Sequence, residues 1–284
     1  MDAQNVTPMM QQYLSAKEAH PNELLFFRLG DFYEMFFDDA KIAAKELGLT
    51  LTSRSGDLDK SPMCGVPYHA ADSYIARLVA KGFKVAIAEQ IGDPKAKGLT
   101  HREVIKVVTP GTTLSDDLLR DATNNYIALL HEKEDGTFVL VGADISTGES
   151  FYASYAGENA AQQMLDELYR RMAAELLMTE GFSLADDVRA FAVQRLPHCA
   201  IGAVAPQTDD ELLVQHFPAA EIPTDAGTRT AVATLLRYLH DTVMADLSQL
   251  NHLSFLDAAD TMQLDTYTLR NLEITRSLRD GGKK

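Results

Sequence analysis

LLFFRLGDFYEMFFDDA, residues 24–40, is the stretch whose reading decides the fold. Leu24 to Leu29 is a short apolar run, long enough for a buried strand and too short for a helix. Gly30-Asp31 breaks it, as glycine followed by a short polar residue does in turns. From Met35 to Leu47 apolar residues recur at helical spacing, and Gly48 stands where a helix ends in a left-handed residue. A strand, a break and a helix in this order predict a mixed α/β domain.

Outward from this segment the same pattern continues. Thr7-Pro8 is a helix start, a capping hydroxyl followed by proline in the first turn, and predicts a helix over about 8–19. Leu49 to Ser53 is strand-like, Asp57 to Pro67 turn-rich, and Ala70 to Ala80 helical. Phe83 to Ile91 and Glu103 to Val108 are rich in Val and Ile and read as strands. Thr109 to Ala122, with Pro, Gly and a cluster of Thr, Ser and Asp, reads as a linker. Beyond it, Tyr126 to His131, Phe138 to Ala143 and Ser150 to Tyr155 are three β runs, with Asp135-Gly136 fitting a tight hairpin turn. A helix over about 158–173, a short strand near Leu176 to Met178 and further alternation to about Ala205 give a second α/β domain. Thr228 to Leu250 reads as a long amphipathic helix, and Leu253 to Leu278 as the beginning of something new.

Composition narrows the function. The chain of 284 residues is 46% hydrophobic and 24% charged, ordinary for a globular protein. It has no basic-then-apolar leader and no apolar run of 18, so neither a signal peptide nor a membrane span is predicted, and the expected location is cytoplasmic. Cys64 and Cys199 are far apart, without metal-ligand spacing, and read as reduced buried thiols. The net charge of −15 argues at first against nucleic acid, but it is unevenly spread. Residues 1–112 hold 13 Lys and Arg against 14 Asp and Glu, whereas residues 113–284 hold 13 against 27. The first domain is therefore the better candidate for a polyanionic partner.

Gly30 to Phe36 is the sharpest segment. In an extended stretch Phe32 and Glu34 project to one side and Tyr33 to the other. A ring and a carboxylate side by side at a strand-to-helix junction form an unusual exposed pair. The ring can act as an apolar wedge between base steps, as in minor-groove kinking proteins. The carboxylate repels phosphates, so it makes sense there only as a discriminator hydrogen-bonding one base edge. It accepts from a base N–H, or donates to a ring nitrogen if its pKa is raised. The competing reading makes Phe26, Phe27, Phe32, Phe36 and Phe37 one aromatic core, the commoner fate of such clusters; Phe27 and Phe36 are core in either case.

Residues 24–40 are similar to the mismatch-binding segment of MutS proteins. So are MCGVPYHA (63–70), VAIAEQ (85–90), Arg102-Glu103-Val104 through Val108-Thr109-Pro110-Gly111-Thr112, and LRNLEIT (269–275), all in family order. One departure is Ala88, where many members carry Cys. The resemblance implies a mixed α/β mismatch-binding domain over 1–112, a linker over 113–122, an RNase H-like α/β connector over 123–247, and from 248 the start of an α-helical core domain. It implies that Phe32 and Glu34 contact the mismatched base. Its further implications are duplex DNA with mismatches or small loops as the ligand, MutL as a partner, and a homodimeric full-length parent that is an ATPase using ATP and Mg. The fragment alone is expected to bind DNA weakly; the alternative is that it acts mainly as a protein-interaction module.

Other chemistry reads as weaker. Gly282-Lys283 lacks both the first glycine and the hydroxyl residue of a P-loop, so no ATP site, cofactor or catalytic set is expected here. An RNase H-like fold suggests a two-metal nuclease, and Asp144 and Glu149 invite that reading, but the first strand, YIALLH, carries no carboxylate, so solvated turn carboxylates are the expected account. His69 reads as a capped or packed histidine. Arg54, Arg102 and Lys106 are candidates for backbone phosphate contacts, weighed against simple solvation.

Overall fold

Thr7 opens the first helix, α1 (Pro8–Ala19): its side chain accepts from the Met10 N–H at 3.4 Å, and Pro8 takes the first turn, where no N–H is needed. In this computed structural model, residues 7–53, 61–92, 100–112, 124–196 and 199–257 are described. The chain divides into two compact units, Met1–Asp121 with Asp241–Ala245, and Ala122–His240 with Asp246–Lys284. Each carries a mixed sheet of six strands among the described residues.

In the first unit, β1 (Leu24–Leu29) and β2 (Phe32–Phe36) pair antiparallel, with Leu29 opposite Phe32. Gly30 and Asp31 form the two-residue turn between them; Gly30 has φ +60°, a conformation that glycine adopts at little cost in such hairpins. This corrects the expectation that a helix starts at Met35 and that Phe32-Tyr33-Glu34 sits at a junction with it. The three residues lie inside β2, and the helix α2 (Phe37–Leu47) starts two residues later than expected. β2 is central, so Met35 and Phe36 are buried on opposite faces, and an apolar run buried on both faces has no period to separate it from a helix.

A second correction concerns Asp57 to Pro67. Pro62–Pro67 is a strand, β4, lying between β2 and the short β3 (Thr52–Ser53). Its alternation, with Pro62, Cys64 and Val66 buried, was masked by its prolines and glycine. A single 3-10 turn (Tyr68–Ala70) leads into α3 (Ala71–Val79), followed by β5 (Val85–Ile91) and β6 (His101–Val108). The sheet order is β3-β4-β2-β1-β5-β6, with only β1 and β5 parallel. One face packs Phe26, Tyr33, Met35 and Val66 against α2 and α3. The other packs Leu25, Phe27, Phe36 and Val107 around Tyr13 of α1. Thr109 to Thr112, read as part of a linker, is a buried turn: the two threonine hydroxyls are 2.8 Å apart, and each also accepts from the other residue's N–H. The rest of that stretch, from 113 to 122, lies outside the described residues.

The second unit runs β7 (Ile127–Glu132), β8 (Phe138–Asp144), β9 (Glu149–Tyr155), α4 (Ala160–Arg171), β10 (Glu175–Thr179), α5 (Ala185–Arg195), β11 (Ala200–Val204), α6 (Asp210–His216), α7 (Ala226–Val243) and β12 (Ser254–Phe255). Its sheet order is β11-β10-β7-β8-β9-β12. The first three strands are antiparallel neighbours; β10 and β11 add parallel strands through helical crossovers. The predicted helix to Leu250 ends at Val243: Met244 has φ +50°, a left-handed residue that stops the helix. Ser254–Phe255 extend this unit's sheet beside β9, and residues 258–284 lie outside the described residues.

Candidate nucleic-acid interface

The β1–β2 hairpin tip carries the site. Along β2 the side chains alternate: Tyr33 and Met35 enter the α2/α3 core, while Phe32, Glu34 and Phe36 share the face on which α1 packs. Helix α1 contacts β1 and β6, and Tyr13 covers Phe27 and Phe36 edge-on at 5.5 and 4.9 Å. The aromatic run therefore divides. Phe26 and Phe27 are 0% exposed and Phe36 is 1%, whereas Phe32 is 47% exposed. The single-core reading fails: Phe26 belongs to the α2/α3 core, Phe27, Phe36 and Phe37 to the cluster under α1, and Phe32 stays half outside. Glu34, half-buried, sits one cross-strand row further in, opposite Phe27 on one side and Gly65 on the other. A Cβ at Gly65 would lie 3.2 Å from the Tyr33 carbonyl oxygen and 3.5 Å from Glu34 Cγ, so glycine there gives the Glu34 side chain its space.

The opposite face of the tip is built around Arg28. Its guanidinium lies 3.9 Å from the Tyr68 ring centre and 5.5 Å from that of Tyr33. Its Nε donates to the Gly30 carbonyl oxygen at 2.6 Å, and Nη1 reaches Glu89 at 3.4 Å. The Tyr33 hydroxyl donates to the same Glu89 carboxylate; burial, then that hydrogen bond and charge, push the Tyr33 hydroxyl up to about 12.

The base of the hairpin is fixed by a buried network. Asp39 accepts from the Leu25 N–H at 3.0 Å and pairs with Lys17 at 2.9 Å. The Tyr13 hydroxyl accepts from the Phe36 N–H at 3.3 Å and shares its one proton between the Phe36 carbonyl at 3.2 Å and Asp39 at 3.3 Å. These bonds hold the point where β2 gives way to α2, and there Phe37 has φ +55°, a strained value for an aromatic residue.

The basic candidates separate. Arg102 is turned into the protein: Nε donates to the Arg28 carbonyl at 2.6 Å, Nη1 to the Thr100 carbonyl at 2.9 Å, and the guanidinium lies 5.4 Å from the Phe27 ring centre. Its pKa is lowered by desolvation. Lys106 pairs with Ile87, which faces the α2/α3 core, and so lies on the other side of the sheet from Phe32. Arg54 lies outside the described residues. His69 is exposed, edge-on to Tyr68.

In the second unit the two nuclease candidates serve local structure. Buried Asp144 accepts from the Asn125 N–H at 2.9 Å, the Ser146 N–H at 2.8 Å and the Ser146 hydroxyl at 2.6 Å. Glu149 accepts from Tyr126 at 2.7 Å and pairs with Arg171 at 3.2 Å. Among the described residues no group of three or more His, Cys, Asp or Glu is placed to hold a metal ion, and no helix is long and apolar enough to cross a membrane.

Comparison with known proteins places this geometry. The family described as MutS domain I matches residues 7–117, a span containing the hairpin, Phe32, Glu34 and Tyr68. Over 98% of its length the chain is 42% identical to the DNA mismatch repair protein MutS of Desulforamulus reducens. Nearly the whole chain is similar to MutS proteins. The MutS protein of Brevibacillus brevis is 44% identical over 98% of the chain, and that of Pelotomaculum thermopropionicum 40% over 97%. The chain spans about a third of the length of these MutS relatives: 33%, 31% and 33%. Sequence reasoning chose Phe32 and Glu34 but passed over Arg28 and Tyr68. The segment MCGVPYHA was noticed only for its resemblance, and nothing in it signals that Pro67 pairs with Phe32.

Proposed function

We propose that the first unit recognises mismatched or unpaired bases in duplex DNA, for DNA mismatch repair, with Phe32 as wedge and Glu34 as hydrogen-bonding partner of a base edge. The observation that carries this is the exposure of Phe32 at a hairpin tip whose other phenylalanines are buried. Burying a phenylalanine fully stabilises a protein by about 1.5–3 kcal/mol, and a ring left half outside forgoes part of that. Phe32 enters the stack from the minor-groove side and opens a base step. That costs a few kcal/mol in paired DNA and less where pairing and stacking are already weak. Discrimination is then a reading of deformability rather than of sequence. Glu34, on the same face, opposes phosphates and favours a base that offers an N–H.

The test is a fluorescence titration of the full-length protein and its Phe32→Ala and Glu34→Ala variants with a G·T duplex and its matched partner, at one salt concentration. Phe32→Ala should abolish the preference for the G·T duplex, and Glu34→Ala should raise binding to matched DNA. An unchanged preference in Phe32→Ala defeats the wedge.

For the second unit we propose an RNase H-like connector that couples recognition to the ATPase of the full-length protein and to MutL. Three antiparallel strands extended by two parallel ones support the fold, and the net charge of −14 over residues 113–284 favours protein over nucleic acid as its partner. If MutL is not retained by residues 123–247, the coupling fails. Dimerisation of the full-length protein belongs to the same proposal.

A further inference from the structure

We infer that Tyr68 is a second DNA-contacting residue, a stacking platform for the nucleotide beside the kink; this deepens the reading of Phe32 above and rests on it. Tyr68 is 46% exposed, and a single exposed ring is unremarkable on any surface. Its setting distinguishes it. Phe32 pairs with Pro67, so Tyr68 is the next residue beyond the wedge on the adjoining strand. Its N–H donates to the Asp31 carbonyl at 2.9 Å, tying it to the hairpin turn itself. The 3-10 turn that it opens and the Arg28 guanidinium 3.9 Å from its ring hold the side chain in place, so little rotamer freedom is left to lose on binding.

Electrostatics favour the same role. A guanidinium against one face draws on the negative quadrupole of the ring, and with that face covered the exposure that remains is on the other face and the rim. Such a face repels an anionic strand less than a free tyrosine would. Arg28 is in turn anchored by the Gly30 carbonyl and Glu89, so it stays beneath the ring. The tip thus presents two rings on its opposite faces: Phe32, on β2 beside a carboxylate, and Tyr68, in the turn that follows β4, backed by a cation. The first suits the opened base step, the second a base or deoxyribose of the strand that passes it.

The experiment uses full-length protein with Tyr68→Ala, Tyr68→Phe and Phe32→Ala, titrated with labelled G·T and matched duplexes at about 50 mM salt, where phosphate contacts sustain binding. Tyr68→Ala should weaken binding of the G·T duplex about fivefold or more, the scale of one base–aromatic stack, with the melting temperature unchanged; Tyr68→Phe should stay within about twofold. The 284-residue chain has no tryptophan, so Tyr68→Trp in it provides a single reporter whose emission should be quenched when labelled duplex binds. If Tyr68→Ala binds like the parent while Phe32→Ala has lost its preference, the platform is wrong and the wedge stands. Binding by Tyr68→Trp without quenching also overturns the platform. A parent protein with no preference for the G·T duplex overturns the reading beneath it, and the platform with it.

Discussion

Replacing Asp39 by alanine tests whether the buried network fixes the hairpin as argued. Asp39 is 5% exposed and accepts from the Leu25 N–H at 3.0 Å and, through shared donation, from the Tyr13 hydroxyl. In Asp39→Ala the Leu25 donor is left buried without an acceptor, and the Tyr13 hydroxyl keeps only the Phe36 carbonyl. An unmet buried donor costs about 1–3 kcal/mol, and the weakened second bond adds about 1. Lys17 contributes little, because its side chain is 28% exposed and its ammonium also donates to the Glu23 carbonyl at 2.7 Å. The sum is about 3 kcal/mol, which for a unit of this size lowers the melting temperature by about 10 °C. Asp39→Asn retains an acceptor oxygen for Leu25 and should lose about half as much. A chain of two units need not melt in one step, so the readout is hydrogen exchange of peptides covering β1 alongside the thermal melt. If β1 opens with a free energy within about 1 kcal/mol of the parent in Asp39→Ala, or if Asn is no milder than Ala, the network does not hold the hairpin.

Three other outcomes follow from the same structure. The Tyr33 hydroxyl, raised from 10.0 to about 12, stays neutral in the fold while the unfolded chain ionises near 10; stability is full below pH 10 and falls as pH rises toward 12, and Tyr33→Phe should flatten part of that fall in alkaline melts. Burial pushes the Cys64 thiol up to about 11 and the Cys199 thiol to about 12, so at pH 8 neither should react readily with a thiol reagent until denaturant is added; rapid labelling of native Cys64 would contradict its burial. Asp144→Ala removes the acceptor of three donors and should destabilise the second unit by about 2–3 kcal/mol in urea, with no metal-dependent nuclease activity before or after; cleavage lost on substitution would restore the nuclease reading.

Much of the fold was legible because local chemistry agreed with it. Thr7-Pro8, Gly48 and Asp135-Gly136 mark a helix start, a helix end and a hairpin by their own conformational preferences, and each stands where it was read. The two misread strands share one cause. Met35-Phe36 and Pro62–Pro67 are strands only because neighbouring strands take up their backbone groups, and that pairing is long-range. The same holds for Arg102, a surface cation by composition that is spent on the carbonyl of Arg28, 74 residues away. Phe32 and Glu34 were legible as a same-face pair from strand alternation, but their exposure was not.

By itself, then, the sequence determined the elements that local capping and turn chemistry mark, the acidic second half and the aromatic–carboxylate pair, none of which needs a distant partner to be read. Which phenylalanine stays outside was decided only in three dimensions. Burial is set by what packs over a position: Tyr13 of α1 covers Phe27 and Phe36, while Phe32 stands beside the turn at the hairpin tip, half open to solvent. The meeting of Arg28, Glu89 and Tyr68 around that tip was decided the same way, because strand register joins segments far apart in the chain.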